Sequence, residues 1–150
     1  MSKPFALQSL LDMAQSRTDV AAAALGTVNS HMREMEQRLQ MLHDYRREYG
    51  DLLNRAARTG INSVGWCNFR HFLDQIDAAI EQQQLLLDQA RRRAQESQRQ
   101  WHDERRTLKS FDTLSQRHHA EEHRREARLE QKEQDSFALR SYLARALATG

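Results

Sequence analysis

The chain has 150 residues, of which 29% are charged and 7% aromatic, with five glycines and one proline. This composition suits a long solvated surface around a thin apolar seam rather than a two-layer globular domain. The net charge of +2 is spread over interspersed acidic and basic residues, which argues against nucleic-acid binding, and no stretch approaches the ~18 apolar residues of a membrane-spanning helix.

The first half of the chain carries a heptad pattern, with positions spaced alternately four and three residues apart. The positions are Leu7, Leu11, Ala14, Thr18, Ala21, Leu25, Val28, Met32, Met35, Leu39, Leu42, Arg46, Tyr49, Leu53 and Ala56. All but Thr18 and Arg46 are apolar. A helix keeps such a stripe on one side only by supercoiling against a partner helix. The pattern therefore predicts a long coiled-coil helix.

A second heptad pattern of matching length begins at Trp66. Its positions are Trp66, Phe69, Leu73, Ile76, Ile80, Gln83, Leu87, Ala90, Ala94, Ser97, Trp101, Glu104, Leu108 and Phe111. The segment between the two patterns contains two glycines. Gly60 suits a helix C-terminus, and Asn62 or Ser63 can cap the following helix. A connection this short requires two antiparallel helices.

The sequence therefore predicts an all-α fold, a long antiparallel two-helix coiled-coil hairpin that forms a single domain over residues 1–150. We expect helix 1 over residues 4–58, a turn over 59–65 and helix 2 over 66–147. At 1.5 Å per residue, each paired arm would be roughly 80 Å long. Gly26 and Gly50 are the glycines inside helix 1, and each costs about 1 kcal/mol relative to alanine.

The two predicted helices differ in length, so the end of helix 2 overhangs helix 1. A pivot near Asn62 places Phe5 opposite His119, and residues 120–147 extend beyond it. The heptad pattern fails at that point, but a new apolar stripe follows without an intramolecular partner. It comprises Phe137, Leu139, Tyr142, Leu143, Ala146 and Leu147. The stripe indicates either a docking surface or a frayed tail.

One motif in the overhang is compatible with an enzyme. His119, Glu122 and His123 match the H-x-x-E-H pattern of inverted zincin metallopeptidases, in which two histidines bind zinc and the glutamate activates water. Catalysis would also need a third protein ligand and a dry cleft, and a chain of helices rich in His, Glu and Arg matches the pattern by composition. We therefore expect no enzymatic activity, no cofactor and no resident metal, with adventitious metal binding as the alternative.

Near the predicted turn the apolar stripes are wider than a two-helix seam requires. The wider region, which we term the tip patch, comprises Met41, Leu42, Tyr45, Tyr49, Leu52, Leu53, Phe69, Phe72, Leu73, Ile76, Ala79 and Ile80. The same pivot places Tyr45 level with Ala79 and Tyr49 level with Gln75. The tip patch is either a thicker core or a protein-binding surface, since Tyr, Phe and Met are enriched in such surfaces.

The same region resembles a known family. Residues 41–49 read MLHDYRREY and residues 66–72 read WCNFRHF; with the length and layout of the chain, these elements resemble the flagellar export protein family FliJ. The resemblance implies a stalk similar to the γ subunit of rotary ATPases, inserted into the hexameric ring of the flagellar export ATPase. It also implies contacts with the cytoplasmic linker of the export-gate membrane protein and with export chaperones.

Carried over by position, the gate-contacting residues of the family fall on Leu42, Tyr45, Tyr49, Phe72, Ile76, Ala79 and Gln83, which we term the predicted contact set. The resulting hypothesis is a non-enzymatic coupling protein of flagellar type III export. It would be cytoplasmic and peripherally associated with the inner membrane, without membrane insertion. The alternatives are a stalk protein of a virulence type III secretion system and a generic coiled-coil scaffold or nucleic-acid-binding protein.

Overall fold

The computed structural model describes residues 3–149, and within this range it contains two helices and no strand. Helix α1 spans Gln8–Thr59 and helix α2 spans Ser63–Thr149. The predicted all-α fold class is confirmed. Neither helix, over the described residues, holds a stretch long and apolar enough to cross a membrane.

The connection between the helices is only three residues long, from Gly60 to Asn62. Gly60 has a φ of 94°, a left-handed conformation that ends α1 without the steric cost a side chain would carry. The Asn62 side-chain oxygen accepts a hydrogen bond of 2.7 Å from the backbone N–H of Gly65. Asn62 therefore caps α2, which begins at Ser63 instead of the predicted residue 66.

The N-terminal boundary of α1 also differs from the prediction. The Phe5 carbonyl accepts a hydrogen bond of 3.1 Å from the Gln8 N–H, and regular helix starts at Gln8 rather than at residue 4. Pro4 lies outside the helix. Residues 6 and 7, which precede α1, therefore form a turn.

Contacts divide the chain into two compact units, of which one is Asp19–Asp103. Its largest fully buried side chain is that of Leu87, which packs with Met35 and Ala90. Met32 and Leu39 lie against this cluster. The cross-helix contacts show that the helices are antiparallel here. They join Glu36 to Arg91, Met35 to Gln83, Arg46 to Asp77 and Tyr49 to Phe72.

The other unit combines the chain up to Thr18 with the chain from Glu104 onward. Here the backbone N–H of Lys3 donates to Glu122 Oε2 at 3.3 Å, and the Lys3 carbonyl lies 2.8 Å from His118 Nε2. The rings of Phe5 and His118 are 5.6 Å apart, so the register predicted for Phe5 is off by one residue. The non-helical N-terminal segment is thus held against α2.

The last part of α2 is exposed along its length. From 127 to 149 every side chain except half-buried Ser141 is exposed. The predicted apolar stripe belongs to this stretch: Phe137 is 71%, Tyr142 70% and Leu147 83% exposed. Within the described residues, the stripe therefore has no packing partner.

The two heptad patterns identify the buried faces well. Every position of the first pattern is buried or half-buried, and so is every position of the second except Trp66. Trp66 is 44% exposed, because α1 ends at Thr59 and few of its residues remain to cover the first turn of α2.

We expect Gly26→Ala to stabilise the protein. Gly26 is exposed inside α1, and a Cβ added there would meet no atom within 4 Å. Alanine in a helix interior is favoured over glycine by about 1 kcal/mol, and the gain should be measurable by urea denaturation followed by far-ultraviolet dichroism. Gly60→Ala is the matched control, since the φ of 94° strains any side chain. It should lower the free energy of unfolding by about 1 kcal/mol, and stabilisation by both changes would contradict the placement of the turn.

Candidate partner-binding surface

The tip patch lies entirely within the Asp19–Asp103 unit, where both helices contribute side chains to it. The rings of Tyr49 and Phe72 meet across the helix pair, with centroids 4.5 Å apart and planes inclined by 57°. Arg46 Nε donates to Asp77 Oδ1 at 3.0 Å and also bridges α1 and α2. These two contacts connect α1 and α2 along the flank of the patch.

Large apolar side chains remain exposed on this flank. Met41 is 56% exposed, Tyr45 49%, Leu52 44% and Phe72 40%. Residues 41, 45, 49 and 52 are spaced by three or four, so they lie on one side of α1. Part of the tip patch is therefore accessible to a partner, whereas Leu53, Leu73 and Ile76 are buried core.

The residues of the predicted contact set are not equally accessible. Tyr45 and Phe72 are exposed, and Leu42, Tyr49 and Ala79 are half-buried. Ile76 and Gln83 are each 8% exposed. The Gln83 amide donates to the Met35 carbonyl at 3.1 Å and lies 3.4 Å from the Met35 sulfur. Partner contact by these residues stays a prediction, and Tyr45 and Phe72 offer the most surface for it.

Next to the ring pair lies a cleft of about 310 Å³, lined by Tyr49, Gly65, Asn68, Phe69 and Phe72. Tyr49 and Phe72 belong to the predicted contact set, whereas Gly65 and Asn68 were not anticipated as site residues. Their spacing could have indicated them, since positions 65, 68 and 72 are three and four residues apart. The cleft extends the accessible aromatic surface toward the turn.

The charges around the tip patch contribute little net attraction. Arg46 and Asp77 are 41% and 49% exposed at their side chains, and Arg47 lies 3.9 Å from Asp44 with still greater exposure. Exposed ion pairs of this kind are worth less than about 1 kcal/mol each. If the tip patch binds a partner as predicted, its aromatic and aliphatic side chains would supply most of the binding energy.

The structure gives the H-x-x-E-H motif a specific arrangement. Glu122 is 8% exposed, and its carboxylate accepts the Lys3 N–H and lies 3.5 Å from Arg125 Nη1. His119 and His123 are exposed. Among residues 3–149, no three His, Cys, Asp or Glu side chains are grouped so that they could hold a metal ion. The glutamate of the motif thus has a structural role in anchoring the N-terminal segment.

An antiparallel two-helix coiled coil with an exposed aromatic flank is the class of protein that these features define. The sequence profile of the family described as "Flagellar FliJ protein" matches residues 2–147. The flagellar FliJ protein of Salmonella typhi is 34% identical over 141 residues, which cover 94% of this chain and 96% of that protein. The flagellar FliJ protein of Escherichia coli strain K12 is 32% identical with the same coverage.

The chain belongs to the FliJ family and is a component of flagellar protein export. The resemblance carried by residues 41–49 and 66–72 is thereby confirmed.

Proposed function

We propose that this protein is a non-enzymatic stalk of flagellar type III export. It inserts into the hexameric ring of the export ATPase and contacts the cytoplasmic linker of the export-gate membrane protein. It also handles export chaperones, and it works in the cytoplasm at the inner membrane, where the export apparatus holds it. Its role is mechanical, because it links nucleotide hydrolysis in the ring to the gate.

The antiparallel helix pair of the Asp19–Asp103 unit is the observation that carries this proposal. Its narrow seam is sealed by apolar residues around Leu87, so the outer faces of both helices remain available to other proteins. Membership of the FliJ family favours the flagellar stalk over a virulence-system stalk or a generic scaffold. A nucleic-acid-binding role has no comparable support, because basic residues such as Arg91 are paired with acidic ones.

The exposed flank of the tip patch is the surface we assign to the export gate. Tyr45 and Phe72 present exposed aromatic surface there. Aromatic residues in such positions dominate the energetics of protein interfaces.

The experiment that tests the stalk role adds the purified protein to its cognate export ATPase in equal amount. A stalk that binds the closed ring more tightly than the separate subunits must shift the ATPase toward the hexamer. We expect both the hexamer fraction, measured by analytical ultracentrifugation, and the rate of ATP hydrolysis to rise.

The control is an unrelated coiled-coil protein at the same concentration, which should change neither quantity. An ATPase whose assembly and turnover both ignore the stalk candidate would contradict the proposal. Binding to the gate linker is measured separately, with the linker alone. If that binding were seen without any effect on the ATPase, it would need an explanation other than the stalk role.

A further inference from the structure

The glutamate and the two histidines of the H-x-x-E-H motif have different surroundings. The Glu122 carboxylate is directed to Lys3 and Arg125 and is nearly buried. It is therefore committed to holding the N-terminal segment and is not free to activate water. The two histidines are exposed on α2, and the stalk role proposed above assigns them no part.

His119 and His123 are four residues apart on an uninterrupted helix, so their side chains lie one turn above each other on the same face. Glu126 is three residues further and falls on the same stripe. All three border one cleft of about 470 Å³, together with Ala120 and Glu122.

We propose that His119 and His123 form a two-histidine chelate for a divalent transition-metal ion. Neutral imidazole suits Zn²⁺, Ni²⁺ and Cu²⁺, and the spacing lets two rings share one ion. Water completes the coordination, because no three donor side chains converge in the described part of the chain. The site is binding and structural, not hydrolytic.

The chelate would brace the helix where the N-terminal segment is anchored. His118 and Glu122, which contact Lys3, lie in the same two turns of α2 as the two histidines. An ion that binds the helical state and not the unfolded chain stabilises the folded protein by mass action. The metal would thus tighten the unit that contains the N-terminal segment.

The test uses the full-length protein without a histidine tag, and Zn²⁺ alone as the probe. At about pH 7.5 we expect one Zn²⁺ per chain by titration calorimetry. We also expect a melting temperature that rises by a few degrees at saturating metal.

Single variants decide whether the pair acts as a chelate. His119→Ala and His123→Ala should each weaken Zn²⁺ binding by about tenfold or more, since either change removes the gain from two linked ligands. Both side chains are exposed, so the variants should fold. His31→Ala removes another exposed histidine and should bind Zn²⁺ as the wild type does.

Two outcomes would overturn the proposal. One is a wild-type protein that shows neither heat of Zn²⁺ binding nor a thermal shift. The other is a His119→Ala/His123→Ala double variant with unchanged affinity, which would place any binding elsewhere, for example at Cys67 and His71, four residues apart in the first turns of α2.

Discussion

Leu87→Ala is expected to lower the free energy of unfolding by about 3 kcal/mol, within the range observed for leucine truncation in packed cores. Leu87 is 2% exposed and forms the centre of the cluster with Met35 and Ala90. Removing its isobutyl group leaves a cavity that two facing helices cannot easily close. The loss should be measured by urea denaturation of the full chain.

Leu86→Ala is the matched control for this experiment. Leu86 is the preceding residue on the same helix and is 41% exposed. Both changes replace leucine by alanine and alter helix propensity equally, so the difference between them reports burial alone. Equal destabilisation by the two changes would show that the seam does not pass through Leu87.

Tyr45→Ala is expected to weaken binding to the gate linker while leaving the fold intact. Loss of an aromatic hot spot costs about 2 kcal/mol of binding or more, which corresponds to roughly thirtyfold in affinity. Tyr45 is 49% exposed, so the free energy of unfolding should change by less than about 1 kcal/mol. Calorimetric titration with the purified linker measures the loss of affinity, and swimming in soft agar measures its effect on motility.

Two further variants bracket the Tyr45 result. Tyr49→Ala should reduce both binding and stability, because the Tyr49 ring packs on Phe72 at 4.5 Å. Leu85→Ala removes a side chain that is 64% exposed outside the tip patch, and it should bind the linker normally. If Tyr45→Ala unfolds the chain as readily as Leu87→Ala does, the aromatic residues are core and the docking interpretation is wrong.

Heptad spacing alone was enough to locate the buried face of both helices. In a supercoiled helix pair, the heptad position decides which side chains face the partner helix. Residues as different as Thr18, Arg46 and Ala90 are therefore buried or half-buried because they occupy heptad positions. A separate signal, the chemistry of helix ends, placed Gly60 at the end of α1 and offered Asn62 or Ser63 as the cap of α2. Helix-end chemistry is local, so the sequence within a few residues determines it.

The burial of Glu122 could not be predicted from the local composition of its segment. The region from His118 to Glu126 is almost entirely polar, which indicates a solvated helix. The carboxylate is covered because Lys3 supplies a backbone N–H from the far end of the sequence. This contact spans 119 residues, and the non-helical segment that contains Lys3 carries no periodic pattern that could predict it.

The candidate site was predictable in outline but not in detail. Broad apolar stripes indicated an accessible flank, and Tyr45 and Phe72 are exposed on it. Heptad spacing already placed Ile76 and Gln83 in the seam, where both are buried. Their place in the predicted contact set came from the family resemblance, which carries positions over without regard to burial.

The hydrogen bond from Gln83 to the Met35 carbonyl bears on the mechanical role that we propose for the Asp19–Asp103 unit. Some coiled coils signal by sliding one helix along the other from one heptad register to the next. Such a step would move the Met35 carbonyl by about 10 Å along the axis. It would leave the Gln83 amide buried without its acceptor, at a cost of roughly 1–3 kcal/mol. That penalty favours rotation or translation of the helix pair as a rigid body over sliding of one helix along the other.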